Sequence, residues 1–184
     1  MKKACLILAE GFEEVEAVTP VDYLRRAGVE VTVAGLGGTR ISGGHGIVIE
    51  ADLPLSELAS ATFDALIVPG GMKGAERIAR SAEAKAFVQR HFASGALLGA
   101  ICAAPAVVLH RGFGILKGRR FTCYPGMEEE VEGATFTQGR VVVDGNLITS
   151  RGPGTAGEFA LALVSALAGK EAAAKLAAGT LLMP

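Results

Sequence analysis

Short apolar runs alternate with amphipathic segments along most of the chain. The runs are continuous stretches of Val, Ile and Leu, which is typical of strands that are buried on both faces of a parallel sheet. The predicted strands are Lys3–Ala9, Val29–Gly35, Phe63–Pro69, Ala96–Cys102 and Leu147–Ser150. The predicted helices are Glu13–Ala27, Ala82–Ala93, Pro105–Arg111, Thr155–Leu167 and Lys170–Ala178. The repeated strand–helix order predicts an α/β fold with a doubly wound, mostly parallel sheet sandwiched by helices.

Three local patterns add detail to this fold. Residues 35–52 are rich in glycine and predict a hairpin inserted between strands. Residues 139–150 predict a second hairpin that turns at Asp144-Gly145. Thr155 is followed three residues later by Glu158, a spacing that predicts a capping box at the start of a helix.

Length, composition and charge restrict the class of protein. The 184 residues suit a single domain spanning 1–184, and 50% of them are hydrophobic while only 5% are aromatic. The net charge is −1 and no basic block is present, so neither a nucleic-acid partner nor a membrane is expected. The apolar run near the start is shorter than the core of a signal peptide. Together with an odd number of cysteines, three, this predicts a cytoplasmic protein.

The stretch LLGAICAAPAVVL, residues 97–109, carries the clearest chemical signal. An apolar strand leads to Cys102, and Pro105 is favoured in the first turn of a helix. Ala100 and Ala104 flank the cysteine at the positions where a nucleophile elbow needs small residues. The amides at a helix start favour a thiolate, so this position predicts a reactive cysteine with a lowered pKa.

The other cysteines and the histidines are less informative. Cys5 lies inside the first strand and is interpreted as a core residue, whereas Cys123 is left open between packing and chemistry. The three histidines are His45, His91 and His110, and their spacing places none of them beside Cys102. Neither a Cys-His dyad nor a metal site is therefore predicted.

Acidic residues follow the first strand at a place where many α/β proteins bind phosphate. Glu13 and Glu14 are interpreted as residues that stabilise the start of a helix through its dipole. Glu16 lies deeper in that helix, where a partly dry crevice would raise its pKa and allow a protonated carboxyl to donate to a thiolate. The acids also argue against a nucleotide at this site. Gly70-Gly71, at the end of the third strand, could present backbone N–H groups to an oxyanion or form a plain turn.

Four segments together resemble the ThiJ/PfpI superfamily, in the branch of the Parkinson-disease-associated protein deglycase and its bacterial relatives. They span nearly the whole chain, and in order they are EGFEEVEAVTPVDYLRRAG, FDALIVPGG, AICAAPAVVL and LITSRGPGTAGEFALALV. The resemblance implies a flavodoxin-like sandwich, a homodimer and no cofactor. It also implies the roles of the site residues: Cys102 is the nucleophile, Glu16 the protonated acid at its sulfur, and Gly70, Gly71 and Ala103 are backbone donors.

The resemblance extends less completely to the rest of the pocket. Arg26 matches an arginine near the family's site. Tyr124 stands where deglycase members often carry a histidine, Ala103 where the protease-like branch has a histidine after the cysteine, and His45 where a second basic residue is expected. These departures argue against peptidase activity.

Three functions follow as hypotheses. The first is a cofactor-independent glyoxalase or deglycase, in which Cys102 attacks a 2-oxoaldehyde such as methylglyoxal, free or as a protein adduct. The second is a non-enzymatic oxidative-stress sensor or redox-regulated chaperone that uses the same cysteine. The third, a flavin- or nucleotide-binding module, has little support because of the acids after the first strand.

Overall fold

A computed structural model describes residues 1–182 of the chain. The strands are β1 (Lys3–Leu8), β2 (Glu30–Gly35), β3 (Arg40–Ser42), β4 (Val48–Glu50), β5 (Leu53–Pro54), β6 (Ala65–Val68), β7 (Leu97–Ile101), β8 (Arg120–Phe121), β9 (Thr135–Phe136), β10 (Val141–Asp144) and β11 (Leu147–Ser150). The helices are α1 (Glu14–Arg26), α2 (Met72–Arg80), α3 (Ala82–Ala93), a π-helix (Pro105–Gly112), α4 (Ala156–Ala168) and α5 (Lys170–Gly179).

The main sheet has seven strands in the order β10-β11-β7-β6-β1-β2-β5, and only β10 runs antiparallel to its neighbour. Successive residues of β1 point to opposite faces, so Leu6 packs with α1 and α4 while Ile7 packs with α2 and the π-helix. Each face is covered by helices, which explains why the strands are apolar at consecutive positions. The predicted doubly wound α/β sandwich is confirmed.

The predicted elements differ from the observed ones mainly at their ends. Each of the five predicted strands and five predicted helices has an observed counterpart that begins and ends within two residues. Residues 105–112 form a π-helix, with Pro105 in its first turn. Both hairpins are present: β3 pairs with β4, and β10 pairs with β11 across a turn in which Gly145 has φ +57°.

Helix α2 is the main element that the sequence did not predict. It has an interior glycine, Gly74, at which a Cβ would lie 2.9 Å from Cα of Phe12. The glycine therefore allows the helix to pack closely against the loop after β1.

The predicted capping box is wrong. Thr155 Oγ1 instead accepts hydrogen bonds from the N–H groups of Gly152 (3.1 Å) and Arg151 (3.2 Å), which precede it. Glu158 pairs with Arg140 at 2.7 Å, because the β10 end lies beside α4. Thr155 thus stabilises the turn that leads into the helix.

None of the helices in the described part of the chain combines the length and the apolar character that crossing a bilayer requires.

Candidate active site

Cys102 lies on a sharp turn between β7 and the π-helix. Its φ is +64°, a left-handed conformation that costs a non-glycine residue about 1–3 kcal/mol and therefore needs support from its surroundings. The backbone is held on both sides: Cys102 N donates to Ser150 O at 3.0 Å, and Tyr124 N donates to Cys102 O at 2.9 Å. The flanking Ala100 and Ala104 are fully buried. The predicted elbow geometry is confirmed.

Glu16 projects from α1 into the same place and is fully buried. Its Oε2 accepts a hydrogen bond from Gly70 N at 2.8 Å, and its carboxyl group lies beside the Cys102 side chain, across Gly70. Among the described residues, Glu16 Oε1 has no hydrogen-bond partner in the protein. A buried carboxylate oxygen without a donor is costly, so this environment favours a proton on the carboxyl group.

Backbone N–H groups complete the surroundings of the sulfur. Those of Gly71 and Ala103 lie close to Cys102 Sγ, where they favour its charged form. Gly71 has φ +81°, and a Cβ on it would lie 2.6 Å from Glu13 N. The N–H of Gly70, which was expected to face a substrate, is used by Glu16 instead. Gly70 therefore orients the acid.

The protonation of this pair differs in part from the sequence-based expectation. Burial raises the pKa of Glu16 to about 7, in the expected direction. Burial also raises the pKa of the Cys102 thiol to about 12, and the negative charge of Glu16 adds to that rise. The N–H groups of Gly71 and Ala103 lower it, but less. The prediction that the helix start alone gives Cys102 a low pKa is thus wrong, because desolvation and the neighbouring carboxylate outweigh it.

The two groups form a coupled pair. Once the pair has lost one proton, the remaining proton can reside on sulfur or on Glu16. Only the second arrangement gives a thiolate, and in it the carboxyl group donates to the sulfur and no longer repels its charge. The reactive form of Cys102 therefore depends on Glu16 keeping its proton.

Of the two other predicted pocket residues, Arg26 lies away from Cys102 and Tyr124 lies beside it. Arg26 lies in the last turn of α1, exposed and paired with Asp22 at 2.8 Å, at the opposite end of the helix from the acids of its first turn. Tyr124 supplies its backbone N–H to Cys102 O, while its half-exposed ring packs beside Gly152. Within the described chain, Tyr124 therefore contacts Cys102 through its backbone, whereas Arg26 does not reach the site.

Glu14 has a function that sequence reasoning missed. Its side chain is buried, and Oε1 accepts hydrogen bonds from the N–H groups of His45 (2.7 Å) and Ile47 (3.4 Å) in the β3–β4 hairpin. Oε2 lies 2.9 Å from His45 Nδ1. These bonds lower the pKa of Glu14 against the effect of burial. Glu14 thus anchors the hairpin to α1, beyond the expected interaction with the helix dipole.

A groove of about 460 Å³ is lined in part by Gly71, the residue next to the glycine that separates Glu16 from Cys102. Its walls come from the loop after β1, the β3–β4 hairpin and the first turns of α2. The residues that matter for its chemistry are Glu10, Glu13, His45, Lys73 and Arg77. The groove is polar and open, which suits a small hydrophilic substrate or a modified side chain of another protein.

One cluster in the described residues gathers potential metal ligands. One ligand atom each from Glu13, Glu14 and His45 lies within 4.8 Å of the others. Both oxygens of Glu14 already accept hydrogen bonds from the hairpin, and these bonds account for the position of its carboxylate. The hydrogen bonds of the three histidines in residues 1–182 go to groups other than Cys102.

The remaining cysteines are in the core. Cys5 and Cys123 are both fully buried, so the interpretation of Cys5 is confirmed and the open question about Cys123 is answered in favour of packing. Burial raises the pKa of each to about 12. Cys102 is the only partly exposed cysteine among the described residues, which cover all three.

A doubly wound α/β sandwich with a cysteine on a strand-to-helix elbow and a buried glutamate at its sulfur defines a class of cysteine-centred proteins. The sequence profile of the DJ-1/PfpI family matches residues 2–166, and the chain belongs to this family. Within the family it is similar to the DJ-1 branch: it is 43% identical to protein DJ-1beta of Drosophila melanogaster, over 98% of this chain and 97% of that protein.

Two further relatives refine the comparison. A protein of Pyrococcus abyssi named a deglycase is 35% identical over 83% of this chain and 91% of its own length. The solved structure of oxidized DJ-1 from Toxoplasma gondii superposes with a TM-score of 0.95 at 41% identity, covering 98% of both chains. The resemblance inferred from the sequence motifs is confirmed at the level of the family and of this branch.

Proposed function

We propose that this protein is a cofactor-independent glyoxalase or deglycase that acts on 2-oxoaldehydes such as methylglyoxal, or on their adducts with protein side chains. The observation that carries the proposal is the buried pair of Glu16 and Cys102. A carboxyl group with a pKa of about 7 can both give and take a proton near neutral pH, directly beside a nucleophile.

The proposed reaction begins with the pair holding one proton, on Glu16. The Cys102 thiolate adds to the aldehyde carbon C1, and Glu16 gives its proton to the resulting oxygen, which forms a hemithioacetal. The N–H groups of Gly71 and Ala103, which lie close to the sulfur, are the proposed donors to the developing oxyanion.

The hemithioacetal then rearranges. The Glu16 carboxylate removes the proton from C1 and returns it to C2, so that the former aldehyde carbon becomes a thioester and the former ketone becomes an alcohol. Water hydrolyses the thioester, which releases a 2-hydroxy acid such as lactate and restores Cys102. No glutathione is required, since the cysteine supplies the thiol.

The test is lactate formation from methylglyoxal by the purified protein without glutathione. Wild type and Cys5→Ala, which removes a buried thiol inside β1, should both form lactate, and Cys102→Ala should not. Equal lactate formation by Cys102→Ala and wild type would reject the proposal. A lysine-adduct peptide as the second substrate distinguishes deglycase from glyoxalase activity.

A redox sensor or redox-regulated chaperone is a second candidate, supported by the difference in exposure among the cysteines. Peroxide would oxidise the Cys102 thiolate to a sulfenic acid while its own O–O bond is reduced, and a second peroxide would give the sulfinic acid. Mass spectrometry after mild peroxide treatment should find the added oxygens on Cys102 and not on Cys5. Uniform oxidation of all three cysteines would reject this candidate.

The expected homodimer is also a proposal. Exposed apolar side chains lie side by side on α1 (Val15, Val18) and on the adjoining hairpin (Ile47, Val48), which Glu14 ties together. An apolar patch of this kind suits a second copy of the chain. Light scattering should find a dimer that Val18→Asp dissociates and Val143→Asp, on exposed β10, does not. A monomeric wild type would overturn it.

A further inference from the structure

The imidazole of His45 is held at the wall of the groove by two acids. Its Nδ1 lies 2.9 Å from Glu14 Oε2 and 3.4 Å from Glu13 Oε2. Its own backbone N–H donates to Glu14 Oε1, so the residue is fixed to the same carboxylate at two points. The imidazole is nevertheless 72% exposed, whereas the Glu14 side chain is only 7% exposed. An anchored but accessible histidine is suited to proton exchange with a ligand.

The contact with Glu14 fixes which nitrogen is available. A carboxylate accepts hydrogen bonds, so Nδ1 carries a proton directed at Glu14, and Nε2 is left for the groove. A carboxylate behind an imidazole also favours its protonated form. The hydrogen bond to Glu14, followed by the charges of Glu13 and Glu14, raises the pKa of His45.

One residue of the groove that His45 lines also adjoins the reacting sulfur. Gly71 lines the groove, and its N–H lies close to Cys102 Sγ. Gly71 is thus shared by the wall of the groove and the surroundings of the sulfur. The other charged groups on the groove walls are Glu10, Lys73 and Arg77. Arg77 donates to Glu10 O at 2.9 Å, and the Glu10 carboxylate accepts from Ser42 N.

We propose that His45 is a second catalytic residue, which exchanges protons with the two substrate oxygens while Glu16 moves the proton between the two carbons. This inference rests on the proposed glyoxalase chemistry. It assigns a specific residue to the proton exchange at oxygen, which Glu16 cannot perform while it carries the carbon-bound proton.

The proton transfers balance. As Glu16 removes the C1 proton, the electron pair forms a C1–C2 double bond and the C2 oxygen takes a proton from the His45 imidazolium, which gives an enediol. Glu16 then protonates C2, and neutral His45 accepts the proton of the C1 hydroxyl group as the thioester forms. Both residues return to their starting states before hydrolysis. Glu14 is a positioning residue, because it acts only through His45.

The test compares His45→Ala with His110→Ala, which removes a histidine outside the groove. The first variant should lower kcat with methylglyoxal by about 100-fold, the lower end of the range for general acid–base catalysis, with KM close to wild type. The second should behave as wild type. Added imidazole should restore activity to His45→Ala only, because a side chain with a purely structural role would not be replaced by a solute.

The pH profile provides an independent readout. His45 must be protonated for the first step, so activity should fall as the pH rises through its pKa, and Glu14→Gln should move this fall to lower pH. A His45→Ala variant with the kcat and pH profile of wild type would overturn the inference and leave the proposed function intact. If wild type forms no lactate, the proposed function itself fails. Formation of the Cys102 hemithioacetal, followed by mass spectrometry, should persist in His45→Ala.

Discussion

Glu16 and Cys102 come together at a single glycine. A Cβ built on Gly70 would lie 2.6 Å from Cys102 Cβ and 2.6 Å from Glu16 Oε2, so the space between α1 and the elbow admits no side chain at all. The contact between acid and nucleophile is thus determined by a residue that belongs to neither of their elements. The contact brings together α1, Gly70 and the elbow at Cys102, which are distant in the sequence.

The first prediction concerns ionisation of the sulfur in Glu16→Gln. The negative charge of Glu16 raises the pKa of Cys102, so its removal should lower the pKa of the thiol below that of wild type. Ultraviolet titration of the thiolate measures this shift, with Cys102→Ala as the blank. The same variant should lose lactate formation by about 100-fold or more, since no carboxylate remains to move the proton. An unchanged thiol pKa would show that the two groups are not coupled.

The second prediction concerns stability and pH. Burial raises the pKa of Glu16 from 4.5 to about 7, so the folded chain holds this proton more tightly than the unfolded chain. The contribution of Glu16 to the free energy of unfolding should therefore fall as the pH rises between these values, by about 3 kcal/mol in total. Above the folded-state pKa the loss is complete and stays constant.

Urea unfolding of wild type and Glu16→Gln at about pH 5 and about pH 8 tests this sign. Glutamine cannot ionise, so the stability of wild type relative to the variant should decrease at the higher pH. Groups elsewhere titrate in both proteins and cancel in the comparison. A relative stability of wild type that increases with pH would contradict the raised pKa.

The third prediction concerns Gly70. Gly70→Ala should displace the acid or the cysteine, because its methyl group would overlap both, and should reduce lactate formation and the melting temperature together. Gly154→Ala is the matched control, since a Cβ there meets nothing within 4 Å. Overpacking of this kind costs about 1–3 kcal/mol. Equal activity of Gly70→Ala and wild type would mean that the pair tolerates a wider separation.

The sequence predicted those parts of the site that depend on local backbone geometry. Cys102 was identified because a strand, small residues and Pro105 produce an elbow whatever surrounds them. The contact of Glu16 with the sulfur was a hypothesis from its depth in the predicted helix, and the family resemblance made it specific, since the contact joins α1 to the end of β7. The low pKa expected for Cys102 was wrong because helix amides act locally, whereas burial depends on the whole fold.

Other features were missed for similar reasons. Helix α2 contains Gly74, whose lack of a side chain is a requirement of packing against Phe12 and not of a loop. Glu14 lies in the first turn of α1, where the helix dipole alone explains an acidic residue. Its contacts with a hairpin about thirty residues further along the chain were therefore not predicted. Patterns of single segments do not reveal such pairings, because they contain no information about which loops meet at the sheet edge.

The fourth prediction concerns this anchoring of the hairpin. Glu14→Ala removes the acceptor for the N–H groups of His45 and Ile47, and hydrogen bonds to a charged group contribute about 1.5–3 kcal/mol each. Hydrogen exchange at these two amides, measured by NMR, should therefore become about tenfold faster or more, while amides of β7 keep wild-type rates. Glu13→Ala is the matched control, because Glu13 accepts no backbone hydrogen bond from the hairpin among the described residues. Unchanged exchange at His45 in Glu14→Ala would mean that packing of the hairpin, and not the buried carboxylate, holds the histidine at the groove.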